Sequence, residues 1–475
     1  MNHDNEFFDE SANPSSRPRH NHTLKTAKSL ADNPSELCAV SDTDALDEYV
    51  IILLENSEPE RALVIAEHFI QIAPFSSDSW FRFGASLSAL ARFKDSIDSL
   101  EKALKLNPND FEILMHLGIT HDNAGNLDES LAYFEEAVKF APYDDEAHFC
   151  RALALEKMER YQEAEQELEA CLKINPLHPE AWYELGYCKD MMSKFDESLN
   201  CYDKHLDFEP YSTNTWYNRG IILTKLNRLK EAVHSYDMAL AIRENFSSAW
   251  YNRGNVLASM NQLEEAIQSY RQTLTYEPND VSSYFNIAMA FEELENFPEA
   301  ITHYLKCVEI DPEYADGWYA LACCYDAAES FESAYAAITH ALDLSPACPD
   351  FLHIKADVEF NLGRTEDALL TYEELLQLEP DNVYVWFDYA ASLLDSGDAA
   401  AAVTAFEQVI RLEPNLSDAH FELACAYKIL GNTQETLIAL RNAIMLDSEK
   451  RSLFQKVFPE LYKHDSVRSY LGITT

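Results

Sequence analysis

Few residues of this chain stand at spacings that could do chemistry, and the ones that do suggest recognition. Cys323 and Cys324 are adjacent, so on a helix their side chains diverge by about 100° and cannot hold one ion as a C-x-x-C pair does. His20 and His22 form a pair without further ligands, which reads as a solvated segment. The other histidines, such as His205, His234, His303 and His340, fall at unrelated phases. No metal and no cofactor are expected. The 82 acidic residues bring carboxylates together by number alone, so carboxylate pairs give no specific sign of general acid–base catalysis. G-x-S-x-G is absent, and no glycine cluster is left to cradle a phosphate. No catalytic residue is expected. What does line up is a set of amides: Asn218, Asn252 and Asn286 are spaced by 34 residues, with Asn255 close by. Each amide can offer two donor hydrogens and an acceptor to a peptide backbone.

The same spacing organises the rest of the chain. Trp80, Trp182, Trp216, Trp250, Trp318 and Trp386 are separated by whole multiples of 34 residues. Ten prolines from Pro74 to Pro414 keep that phase, with Glu244 where one more would fall. We number each unit 1 to 34, with units starting at Thr43, Ser77, Phe111, Asp145, Pro179, Thr213, Ser247, Val281, Ala315, Pro349, Val383 and Ser417. Large apolar or aromatic residues recur at positions 4, 7, 8 and 11, as in Trp80, Phe83, Gly84 and Leu87. That is one face of an amphipathic helix. Positions 20, 24 and 27 alternate small, large and small, as in Ala232, Tyr236 and Ala239, which predicts a second helix packed closely on the first. Gly125, Gly363, Gly397 and Gly431 at position 15 mark the turn between them. Proline at position 32 ends the second helix.

A 34-residue helix–turn–helix unit with Trp, Leu, Gly, Tyr, Ala, Phe, Ala and Pro at set positions resembles the tetratricopeptide repeat over about residues 43–450. Trp216-Tyr217-Asn218-Arg219-Gly220 and Trp250-Tyr251-Asn252-Arg253-Gly254 carry the resemblance most closely. It implies an all-α fold, an α-solenoid wound as a right-handed superhelix of antiparallel helix pairs. It also implies a concave face lined by the first helices, chiefly at positions 2, 5, 6, 9, 12 and 13. Position 5 is aromatic in most units, including Tyr183, Tyr217, Tyr251, Phe285 and Tyr319. These rings read as packing between neighbouring first helices, with a tyrosine hydroxyl able to face the groove as well. Asparagine occupies position 6 in Asn218, Asn252 and Asn286 and position 9 in Asn255. By resemblance these would form a ladder that holds an extended ligand. Family members that grip acidic chaperone tails need lysine or arginine at positions 2 and 5. Here position 5 is aromatic and position 2 largely acidic, as in Glu146, Glu180, Asp316 and Asp350, which sets that subtype aside.

Charge narrows the partners. The chain carries a net −46, which opposes nucleic acid and anionic membrane surfaces. Residues 213–280 hold seven basic and seven acidic side chains, a neutral window around the amides, whereas Glu146, Glu156, Glu180, Glu184 and Asp190 make the two preceding units acidic. A protein or peptide segment with a basic flank fits this pattern. The ten cysteines are scattered, which reads as reduced thiols of a cytoplasmic protein. No stretch approaches the roughly 20 apolar residues of a membrane span.

Residues 1–42 read as a flexible arm with one short helix near Leu24 to Leu30, and 43–450 as twelve tandem units. Residues 451–475 read as a capping half-repeat, because Phe454, Val457, Phe458 and Leu461 reproduce positions 4, 7, 8 and 11. A detachable docking segment is the alternative for that tail. The expected function is a protein-interaction scaffold, with a non-catalytic targeting or regulatory subunit of an enzyme or secretion complex as the second reading.

Overall fold

The computed structural model of the chain describes residues 17–473. They are helical with short turns, and no strand occurs among them. The chain divides into two compact units, Met1–Glu244 and Asn245–Thr475. Each holds six of the twelve antiparallel helix pairs found from Thr43 to Leu446. In every pair the first helix covers positions 1–13 and the second positions 17–30, as in Ser77–Ala89 and Phe93–Leu106. This is an α-solenoid, as the 34-residue period predicts.

The repeated residues each have a contact that explains their spacing. Glycine at position 8 lies against the position-24 side chain of the same pair: Gly84 on Leu100, Gly118 on Phe134, Gly186 on Tyr202, Gly220 on Tyr236 and Gly254 on Tyr270. A Cβ at any of these glycines would come within 2.5 to 2.8 Å of that side chain. The two helices approach so closely that only hydrogen fits. Position 24 accordingly supplies the largest fully buried rings, Tyr202, Tyr236, Tyr270, Tyr304, Tyr372 and Phe406. Tryptophan at position 4 donates its indole N–H to the carbonyl of the proline six residues earlier in Trp80, Trp182, Trp216, Trp318 and Trp386, at 2.8 to 3.0 Å. The ring nitrogen of His420 makes the same contact to Pro414 at 3.0 Å. One repeat's exit is thereby tied to the next repeat's entry, and a carbonyl left open by the helix end gains a partner.

Position 15 shows how far the turn extends beyond its glycines. All eight non-glycine residues with positive φ among the described residues occupy it: Ser57, Ala91, Glu159, Ser193, Asn227, Asn261, Glu295 and Glu329. Ala91 N–H bonds to Ser88 O and Arg92 N–H to Leu87 O, both at 2.9 Å, the paired bonds of a Schellman cap. The geometry is imposed by the hairpin, and glycine only makes it easier. At the opposite end of the turn cycle, position 34 caps the next helix, as where Asp144 accepts from Ala147 N–H at 2.8 Å.

Within the described residues, the helix expected near Leu24 to Leu30 is longer than the sequence suggests. Arg17–Asp32 is a helix of 16 residues, followed by a short turn of helix at Pro34–Leu37. Ala27, Ala31 and Leu37 are buried with Leu46, Val50, Ile65 and Phe69 of the first pair. Leu24, Ala27 and Ala31 share one helical face, and the open side of that pair offers apolar surface that gains from cover. Arg61 binds Asp32 at 2.9 Å across the same contact. His20 and His22 are exposed on this helix. The part of the arm before residue 17 lies outside the described residues.

At the other end, Lys450–Val457, Pro459–Tyr462 and Asp465–Tyr470 are short helices. Phe454, Phe458 and Leu471 are buried in one cluster with Leu440, Ala443 and Ile444 of the last pair. Pro459 breaks the first of these helices where a full repeat would continue it.

Candidate peptide-binding groove

The candidate residues lie on first helices, and a pairing between neighbouring repeats organises them. A position-5 side chain reaches the position-6 side chain 35 residues on. In the first unit Arg82 Nε binds Asp47 at 2.7 Å and Asn218 Nδ2 donates to the Tyr183 hydroxyl at 3.0 Å. In the second unit Asn286 Nδ2 donates to the Tyr251 hydroxyl at 3.2 Å, and His353 meets Asp388 at 3.0 Å. The slot accepts different chemistries in one geometry. Position 12 makes a parallel series with position 13 of the next repeat: Lys157 to Asp122 and Lys225 to Asp190, both at 2.5 Å, and Asn361 to Asp326 at 3.1 Å. These links are invisible to a motif search, but an acid at 12 followed 35 residues later by a lysine or asparagine is a signal that could have found them.

Four of the five candidate rings at position 5 pack on the position-24 ring of their own pair, on its second helix, and not only between neighbouring first helices. Ring centroids are 5.9 Å apart for Tyr183 and Tyr202, 6.0 Å for Tyr217 and Tyr236, and 5.8 Å for Tyr251 and Tyr270. Phe285 sits between Tyr304 and Tyr314, each at 5.5 Å. Tyr319 stacks on Phe351 at 5.0 Å. All five candidate rings are half-buried. Burial pushes the Tyr183 hydroxyl up to about 12, with the negative charge of Glu184 adding to it. Tyr183 therefore stays a neutral hydrogen-bonding group at ordinary pH.

The amides do more inside the protein than the sequence suggests. Asn286 Nδ2 donates to Tyr251 and also to Asn255 Oδ1 at 3.2 Å, while Tyr270 donates to the same Asn255 oxygen at 2.8 Å. Both amide hydrogens of Asn286 are thus used internally. Asn218 belongs to the first unit; Asn252, Asn255 and Asn286 belong to the second.

The first unit presents acid on the same helical face. Asp190 is neutralised by Lys225. Glu156 and Glu184 are half-buried, and both carboxyls are pushed above the usual range, by burial and, for Glu156, by the charge of Glu184. Because folding raises these values, the folded unit holds more protons than the unfolded chain above the ordinary value of 4.5. Its stability therefore falls as pH rises through that window, until both groups are ionised. Glu156→Gln is expected to flatten the fall, leaving stability unchanged near pH 4 and raising it by about 1 kcal/mol at pH 8. Urea midpoints measured across that range check it, and parallel curves for the two proteins would remove the repulsion as a cause.

Family descriptions named tetratricopeptide repeat match residues 81–145, 145–188, 213–246, 247–280, 281–314, 303–335 and 359–424. The three central matches begin at position 1 of the frame used above. No curated protein sequence matches the chain. Among solved structures, the MamA protein is similar with a TM-score of 0.35 at 17% identity, covering 35% of this chain and 92% of that one. MamA 41-end from Desulfovibrio magneticus RS-1 gives 0.34 at 21% identity, with 36% and 96% covered. Naa15/Naa10 bound to HypK-THB gives 0.34 at 15% identity, with 91% and 79% covered. The period, the paired helices of fixed length and the matched segments all agree: the chain belongs to the tetratricopeptide repeat family.

Proposed function

We propose that this chain is a non-catalytic scaffold that holds an extended or helical segment of a partner protein against its first-helix faces. The observation that carries this reading is the half-buried aromatic and amide row of the second unit, Tyr251, Asn252, Asn255, Phe285, Asn286 and Tyr319. It combines apolar area with amide groups suited to a polypeptide backbone. In the first unit, Tyr183, Tyr217 and Asn218 stand on the same face as the acidic Glu156 and Glu184. That surface favours a lysine or arginine in the ligand, since a cation would stabilise the ionised form of two carboxyls that burial lifts, Glu156 being lifted further by the charge of Glu184. The net charge of −46 opposes polyanions. A partner with a basic flank and a backbone free to pair fits both surfaces.

Peptides selected from a random display library against the full chain test the reading. Selected sequences should be enriched in lysine and arginine. Asn252→Ala with Asn286→Ala should weaken their binding about tenfold, the effect of losing one or two net hydrogen bonds, while helicity by circular dichroism is unchanged. Selection without basic enrichment, or binding untouched by the double substitution, would remove these residues as the site.

A further inference from the structure

His353, Asp357 and Asp388 converge on one point in the second unit, each offering a ligand atom within 4.8 Å of the others. His353 and Asp357 are four residues apart on the helix Pro349–Asn361 and so share a face. Asp388 comes from the first helix of the next pair, Val383–Asp395. His353 and Asp388 occupy the same 5-to-6 slot that joins Tyr251 and Asn286, but this slot contains a third group. His353 Nε2 lies 3.0 Å from Asp388 Oδ2 and 3.9 Å from Asp357 Oδ2. A single ring N–H can satisfy one carboxylate, so Asp357 Oδ2, on the side of the ring, receives no proton from it. Among the described residues neither aspartate has a lysine or arginine partner.

We propose that these three side chains bind one divalent transition ion, with zinc the best chemical match. Three donors around a tetrahedral zinc, each about 2.1 Å from it, lie roughly 3.4 Å from one another. The two histidine–carboxylate distances, 3.0 and 3.9 Å, straddle that value, and all three ligand atoms lie within 4.8 Å of one another, so side-chain rotation toward a common centre completes the site. The imidazole argues against magnesium and calcium, which take oxygen donors, and the two carboxylates argue against a soft ion such as copper(I). An outer contact already orients one ligand. The Tyr372 hydroxyl, from the second helix of the same repeat, donates to Asp357 Oδ1 at 2.5 Å and leaves Oδ2 on the side of the histidine. Such outer partners commonly set metal affinity. The side chains of His353, Asp357 and Asp388 remain 31%, 36% and 39% exposed. Water or a donor side chain from a bound segment can therefore reach the fourth position. The site stands independently of peptide capture.

The test uses the full chain, freed of metal by chelation and titrated with cobalt(II) and zinc(II). With 82 acidic residues the protein attracts divalent ions loosely, so the readout must report an ordered site. One equivalent of cobalt should produce visible ligand-field absorption, and one equivalent of zinc should abolish it. His353→Ala and Asp388→Asn should each weaken binding at least tenfold, and Tyr372→Phe about tenfold. The exposed control Asp343→Asn should change nothing. Asp388→Asn conserves shape, so it reports on the ion even where loss of the imidazole disturbs packing. Absence of the absorption, or absorption that persists at full affinity in both His353→Ala and Asp388→Asn, would overturn the proposal.

Discussion

Gly118→Val is expected to lower the stability of the first unit by on the order of 2–4 kcal/mol, although valine is not a poor residue for a buried helix in general. A Cβ at this position would fall 2.5 Å from Phe134 Cε1 and 2.7 Å from Cδ1. Phe134 is 2% exposed, so its ring is a rigid neighbour with nowhere to retreat. Removing glycine from a helix returns about 1 kcal/mol through backbone entropy, which is smaller than the overpacking it causes. Gly118→Ala should therefore be milder, and Phe134→Leu added to it should recover part of the loss. Gly125→Ala separates the two uses of glycine. Its φ is +80° and nothing stands within 4 Å of its would-be Cβ, so the cost is the left-handed backbone alone, about 1 kcal/mol. Chemical denaturation followed by circular dichroism measures all of them. Equal losses for Gly118→Val and Gly125→Ala would refute close helix approach as the reason for glycine at position 8.

Lys189→Leu should cost the first unit about 3 kcal/mol at neutral pH. Lys189 is 6% exposed, and its ammonium lies 2.7 Å from Glu165 and 2.6 Å from Glu197. Glu165 is itself buried and is also held by Lys194 at 2.7 Å. Deleting Lys189 leaves Glu165 with one cation instead of two, in a site where burial penalises its charge. Burial alone would raise the Glu165 carboxyl, but the hydrogen bonds from Lys189 and Lys194 outweigh it and hold the group below its ordinary 4.5. The sign follows: this stability is present above the ordinary value and is lost as pH falls through the depressed one. The difference between wild type and Lys189→Leu should shrink on acidification. Adding Glu165→Gln to Lys189→Leu should restore much of the loss, because the uncompensated charge is then gone. A pH-independent difference with no rescue would show that lost packing, and not charge, is responsible.

Different layers of this molecule were legible to different degrees. The repeat was readable because a 34-residue unit can bury its apolar face only against copies of itself, so the same residues must return at the same phase. Tryptophan and proline keep step because one donates to the carbonyl of the other, and glycine at 8 answers the ring at 24. The turn was readable at Gly125, Gly363, Gly397 and Gly431, but not at Ala91 or Glu295, where packing holds an ordinary residue in a strained backbone conformation. The helix Arg17–Asp32 was legible only as a short one near Leu24 to Leu30, because its apolar face is short and polar residues crowd it, so its full length shows only with its partner surface. The amides were found, but their use was not: Asn286 turns both hydrogens inward only because Tyr251 and Asn255 stand beside it.

What the amino-acid order determined by itself was therefore local and periodic: helix lengths, hairpin turns, which face of each helix is apolar, and the family. What only the tertiary structure decided is which side chains meet across repeats. Tyr183 with Asn218, Asp122 with Lys157, and His353 with Asp388 depend on the offset between stacked hairpins, which the rigid contacts of glycine and ring inside each pair help to define. A shift of one helical position would turn each of these partners about 100° away. Side-chain chemistry is written in the sequence, but its pairing is set by packing.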